Sequence, residues 1–218
     1  AGTPYEHAAL GTRESFDKTS AADLKHFHDT WYAPNNAVLV IAGDVELKAA
    51  LAKVKALFGT IKPKKLPARP QFKFAPPKAE TFKVDTDRPS ATAIVAMRLP
   101  GMDSKDFPAL EVLADVMASH RFDLYALVPA GKALDADFSL DPLPHASIGY
   151  AEVSFPADGD AKEAEKQIRD ILSKVIANGV PAELVEAAKT QERRATEFQK
   201  NGIEALASVW SDAVALNG

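Results

Sequence analysis

Apolar residues at Leu24, Phe27 and Trp31 recur three and four positions apart, behind Ser20 and Asp23 spaced as a capping box. This pattern predicts a helix from Ser20 to Tyr32 that Pro34 ends. The run Ala37–Ala42, AVLVIA, is continuous and rich in β-branched residues. Bounded by Asn35, Asn36 and Gly43, it predicts a strand covered on both faces, with Leu39 and Ile41 buried. Leu47, Leu51, Val54 and Phe58 then return to the helical period, with Gly59 placed as a C-cap. Thr81–Val84 and Ala91–Leu99 read as strands, and Asp103–Leu127 as one or two helices with Leu110, Leu113, Val116 and Met117 on their apolar face. The alternating segments Leu134–Leu140 and Ser147–Phe155 predict strands of a half-exposed antiparallel sheet. Amphipathic helices follow over Ala161–Asn178, Pro181–Lys200 and Ile203–Leu216, so the fold class is α+β, an antiparallel or mixed sheet packed against helices.

Between these two patterned regions, Pro63, Pro67, Pro70, Pro76 and Pro77 interleave with Lys and Arg, a composition that favours extended backbone over helix or sheet. The domain boundary falls here, dividing 1–62, a helix-strand-helix unit, from a linker at 63–80 and an α+β domain at 81–218. Such a linker reaches up to roughly 60 Å when extended. Its lysines and arginines are too few to hold polyanions tightly and are expected to be solvated.

With 26 Lys plus Arg against 30 Asp plus Glu, a net charge of -4 and a pI near 5.8, the 218 residues carry no electrostatic footprint for nucleic acid or a membrane surface. No apolar stretch approaches the roughly 20 residues of a membrane span, and AGTPYEHAAL lacks the regions of a signal peptide. Cysteine is absent, which removes disulfides and thiolate chemistry.

The histidines do not form a ligand set in sequence. His26 and His28, two apart, diverge by roughly 200° around a helix. His7, His120 and His145 stand alone. No Gly-x-Ser-x-Gly elbow or phosphate loop is present, and Gly43–Asp44 reads as a turn into a helix that Glu46 begins. Asp135 and Asp137 share one face of a strand, either as a carboxylate pair or, more simply, as a solvated face. Residue chemistry alone yields an α+β protein with no evident site.

The stretch SAADLKHFHDTWYAPNNAVLVIAGDVELKAALAKVKALFGTI resembles a signature of the pitrilysin/insulinase-like zinc peptidases, the inverzincins: helix, aromatic pair, Pro-Asn-Asn, buried strand, Gly-Asp, helix and terminal Phe-Gly. MRLPGMDSKDFPALEVLADVMA looks like the entry to that family's next domain, and VPAELVEAAKTQERRA like the helix after its sheet. The resemblance runs from about residue 4 to 218. It implies zinc ligands in a His-x-x-Glu-His motif and a distal Glu upstream of Pro-Asn-Asn, and the residues before Pro34 contain no such motif. It also implies a substrate-anchoring Arg and Tyr, where this chain has Val128 and Leu134; Arg121 and Tyr125 read as structural.

The expectation is therefore a non-catalytic segment of a zinc-dependent endopeptidase, with no catalytic and no metal-binding residues, an unknown substrate site, and zinc confined to the full-length parent or its catalytic partner. Residues 1–62 would close the metal-bearing domain and 81–218 form most of the following homologous domain, a wall of the substrate chamber. The implied partners are a peptide substrate and an upstream catalytic domain or catalytic subunit, and the implied location is the bacterial periplasm. An inactive subunit that holds peptide or stabilises a catalytic partner is the alternative, and an unrelated α+β domain with its own small-molecule pocket a third reading. Ala37–Ala42 is expected to dock on the second domain's sheet, within the chain or by strand exchange in a homodimer.

Overall fold

A computed structural model describes residues 3–7 and 10–217, which divide into two compact units. The first comprises 1–78 with 200–218, and the second 79–199.

The first unit is helical. Helix α1, Arg13–Lys18, and helix α2, Ala21–Trp31, each open on a capping box. In α2 the Ser20 amide donates to Asp23 Oδ2 at 2.9 Å and the Asp23 amide donates to Ser20 Oγ at 3.2 Å, satisfying backbone donors that a helix start leaves open. Helix α3, Leu47–Phe58, is capped by Glu46, whose carboxylate accepts from the amides of Lys48 and Ala49. Helix α7, Ile203–Asn217, groups with this unit, whereas the sequence pattern ran the second domain on to Gly218. The helix before it ends at Gln199, and the Ile203 methyl lies where a Cβ on Gly43 would meet it at 3.6 Å.

The predicted strand Ala37–Ala42 is corrected: it forms no ladder with the second unit's sheet or with any other described residue. Val38, Leu39 and Ile41 are 50, 58 and 48% exposed, not buried. A strand exists only through a neighbour's backbone, and this unit contains no sheet to supply one. Thr81–Val84, also expected as a strand, is likewise unpaired: it lies in the second unit but joins neither edge of that unit's sheet, and Phe82 and Val84 stand in solvent.

The Pro-rich segment is not a free tether. Asn35 grips it with both ends of its amide, donating to the Lys64 carbonyl at 2.9 Å and accepting from the Lys64 amide at 3.0 Å. The Lys64 ammonium donates to the Asp29 carbonyl in the last turn of α2. Further on, Phe72 and Phe74 pack around Tyr5, with ring centroids 5.8 and 5.6 Å from it. Pro-Asn-Asn thereby has a structural role: Asn36 donates to the Trp31 carbonyl at 2.8 Å, closing α2, while Asn35 holds the strap. Asn35→Ala is expected to speed tryptic cleavage after Lys65 about tenfold, the equivalent of one or two exposed hydrogen bonds, with cleavage after Lys83 unchanged. Equal rates at Lys65, read by mass spectrometry, would show that the strap is held by other contacts.

The second unit is a three-stranded antiparallel sheet with helices on one face. Its strands are β1, Ser90–Pro100, β2, Asp135–Asp141, and β3, Ala146–Pro156, in the order β1-β3-β2. Helices α4, Phe107–Ala118, α5, Ala161–Asn178, and α6, Ala182–Gln199, complete it. From Ser147 onward the odd residues of β3, among them Ser147, Ala151, Val153 and Phe155, are buried and the even ones face out, the period-two pattern of a half-covered sheet. α5 packs on β1 and β3, and α4 on β2 and α6. The core lies between, around Val116, Leu124, Phe138, Val153, Ile168 and Leu184. Asp160 caps α5 through the Lys162 and Glu163 amides, and Gly179, at φ 72°, ends it in the left-handed conformation that glycine adopts without strain.

Candidate functional site

Three surfaces carry the residues singled out from the sequence. The first is the helix-free face of the second unit's sheet. Its rows follow from the strand register: Thr92, Ser154 and Asp135; Ile94, Glu152 and Asp137; Ala96, Tyr150 and Ser139; Arg98, Ile148 and Asp141. The structure thus places Asp135 and Asp137 on one face, as expected from their spacing, with Asp137 opposite Glu152 and accepting from Ser139 Oγ at 3.1 Å. Adjacent like charges across a strand pair are unfavourable, so this face retains its carboxylates by staying solvated.

The second is the turn between α4 and β2. Tyr125 stacks flat on His120, centroids 3.8 Å apart, which gives Tyr125 a packing role. Val128 closes the short helical turn Tyr125–Leu127, and Leu134 is mostly exposed with its amide bonded to the Ser154 carbonyl. Neither side chain carries a donor or a charge, so these two positions offer a peptide shape and apolar surface only.

The third is α2 with its histidines. His28 stacks on Tyr32 at 4.7 Å and approaches Asp29, whose carboxyl is held below its ordinary range by hydrogen bonds from Lys25 and then His28. His145, elsewhere, pairs with Asp103 at 2.7 Å across a loop, and His7 is exposed. Gly43, at φ 140°, forms the expected turn, the Val45 amide donating to its carbonyl at 3.0 Å. Among the described residues no group of three or more His, Cys, Asp or Glu is placed to hold a metal ion. A catalytic zinc needs three convergent protein ligands with one position open, so these donors do not fit it.

One feature escaped the sequence reading. Burial first, then Glu192 on α6 and Glu111 one turn earlier on α4, push the carboxyl of Asp115 on α4 up to about 6. The signal available was the pair of acids four apart, Glu111 and Asp115, inside the otherwise apolar FPALEVLADVMA.

The sequence pattern of the family described as Peptidase M16 inactive domain matches residues 18–192. The chain belongs to this family. Zinc protease PqqE of Helicobacter pylori is 26% identical over 118 residues, covering 52% of this chain and 27% of that protein. A crystal structure of a peptidase M16 inactive domain from Pseudomonas fluorescens superposes over 99% of this chain and 52% of its own, with a TM-score of 0.83 and 19% identity. The periplasmic protease PqqL of Escherichia coli matches over 95% of this chain and 24% of its own, with a TM-score of 0.63 and 20% identity. At these identities the structural likenesses establish the fold. The M16 inactive domain described here spans between 11 and 27% of the curated relatives it matches and about half of the Pseudomonas structure. It is an inactive domain of the M16 peptidase family with an α+β fold, as its motifs implied. No described helix is long and apolar enough to cross a membrane.

Proposed function

We propose that this chain is the non-catalytic part of a zinc-dependent endopeptidase, its first unit closing the metal-bearing domain and its second forming the opposing wall of the substrate chamber. The observation that carries this reading is the first unit's uncovered apolar surface. Val38, Leu39 and Ile41, with Leu24, Phe27 and Leu57, stand in solvent, and residues 37–42 offer an unpaired backbone. Such a segment is stable only under cover, and a domain that brings a sheet supplies both the ladder and the apolar face. Zinc and its ligands then belong to that catalytic part, and the peptide passes along the helix-free face of the second unit. Two copies of this chain exchanging residues 37–42 would meet the same need, and the oligomeric state of the chain alone measures that.

Apolar Val128 and Leu134, where the family resemblance puts an anchoring Arg and Tyr, favour a second reading as an inactive subunit that holds peptide or stabilises a separate catalytic chain. A periplasmic setting fits the likeness to PqqL.

The test is metal content and peptide cleavage by the chain alone and by its parent, translated upstream of Ala1. The chain alone is expected to retain no zinc after dialysis and to leave an unstructured peptide intact. The parent, or the chain mixed with a separate subunit bearing His-x-x-Glu-His, is expected to cleave it in a chelator-sensitive way. Stoichiometric zinc with chelator-sensitive cleavage by the chain alone would overturn the reading.

A further inference from the structure

The two edges of the second unit's sheet are built differently. In the order β1-β3-β2, each outer strand bonds to β3 on one side and to no described strand on the other. An open edge is a template for another strand, and proteins guard it with short length, charge, proline or a bulge. β2 has such guards: it is seven residues long, Asp135, Asp137 and Asp141 are among them, and Pro142 follows. β1 has almost none. It runs eleven residues, pairs with β3 one to one from Ser90–Pro156 to Pro100–Ala146 without a bulge, and holds a single charge, Arg98. Its prolines, Pro89 and Pro100, stand before it and at its last position.

Burial shows the same contrast. On β3, Ser147, Ala151 and Val153 are 0% exposed. On β1, Ala91, Ala93, Val95, Met97 and Leu99 are the covered row, and each is only partly buried. A strand laid along the open edge of β1 would complete that row's cover.

The sequence of β1 is a fit for itself. Two copies laid antiparallel about a two-fold axis at Val95 bring covered row to covered row, with Ala91 opposite Leu99 and Ala93 opposite Met97. On the helix-free face, Ile94 falls opposite Ala96 and Thr92 opposite Arg98. These pairs each set a smaller side chain against a larger one, and no like charges face each other. Of the two-fold registers, the one centred on Val95 pairs every residue of the strand.

We propose that β1 is a self-complementary interface, through which two copies of this chain join edge to edge about Val95 into one antiparallel sheet of order β2-β3-β1-β1-β3-β2. The interface lies wholly in the second unit and does not use residues 37–42.

Disulfide trapping on the full chain tests it, because the chain has no cysteine of its own. Ile94→Cys and Ala96→Cys both lie on the exposed face, Ile94 at 56% exposure, so each variant is expected to fold like wild type. Across the two-fold axis, residue 94 of one copy lies about 4.5–5.5 Å from residue 96 of the other, within reach of a disulfide. Residue 94 lies about 7–8 Å from its own counterpart, which is out of reach. A mixture of I94C and A96C is therefore expected to cross-link under mild oxidation at least about tenfold faster than either variant alone. Thr92→Cys mixed with A96C, a pairing slipped by two residues, is expected to stay at the level of the single variants. Adding Leu39→Lys and Ile41→Lys to both partners is expected to leave the trapping unchanged, which separates this edge from an exchange of residues 37–42. Equal rates in the mixture and the single variants, equal trapping by the slipped pair, or loss of the cross-link with the two lysines would overturn the interface.

Discussion

Ile168→Ala is expected to destabilise the second unit by about 3 kcal/mol, while Ile176→Ala, eight residues on in the same helix, stays within about 0.5 kcal/mol of wild type. Ile168 is 0% exposed, on the face of α5 that packs on β1 and β3, and Ile176 is 87% exposed. The first substitution removes a side chain whose surroundings cannot fully collapse, because the sheet behind it is held by a continuous ladder from Ser90–Pro156 to Pro100–Ala146. The second removes atoms already in water. Denaturant unfolding followed by far-ultraviolet circular dichroism reads both, and the chain's two compact units require that the transition belonging to the second be assigned first. Comparable losses at the two positions would mean that α5 does not pack on the sheet through Ile168.

The same contrast explains which parts of the fold the sequence discloses. α5 is legible to the residue, because Asp160 caps it, Gly179 ends it, and Ala164, Ile168 and Ile171 mark its covered stripe. β2 and β3 are legible because alternation records a sheet with one wet face. AVLVIA predicts a covered strand and is instead half exposed and unpaired, since composition records a demand and the supply is a neighbouring backbone. Thr81–Val84 fails likewise. The clamp of Asn35 on Lys64 was invisible for a different reason: an asparagine after a proline signals a turn, and nothing local tells which distant carbonyl its amide will find. The raised carboxyl of Asp115 is similarly hidden, because the burial and the distant Glu192 that raise it arise only from the packing of α4 on α6. At 125–134 the sequence states only that Val128 and Leu134 carry neither a charge nor a hydroxyl.

Leu39→Lys combined with Ile41→Lys is expected to leave the isolated chain as stable as wild type and to abolish its assembly with the zinc-bearing part. In the isolated chain both side chains are about half exposed and their backbone is unpaired, so lysine there removes little packing and adds solubility. In the assembled protein the same two positions would lie on a covered strand. Each substitution then forfeits about 1.5–3 kcal/mol of apolar burial and places an ammonium where no acid awaits it. Together these amount to more than about a thousandfold in association, since every 1.4 kcal/mol is tenfold. The intact parent carrying both substitutions should accordingly lose chelator-sensitive cleavage while its second unit still unfolds with the wild-type midpoint. Lys53→Gln on the exposed surface of α3 is the control for a mere change of charge and is expected to be silent. Self-association of the isolated wild-type chain, followed by light scattering, should fall in the double variant, because the surface that seeks a missing sheet is the one that copies of the chain would share. If the double variant assembles and cleaves like wild type, residues 37–42 are not the strand by which this chain completes its partner. If instead it unfolds on its own, that segment is already covered within the isolated chain.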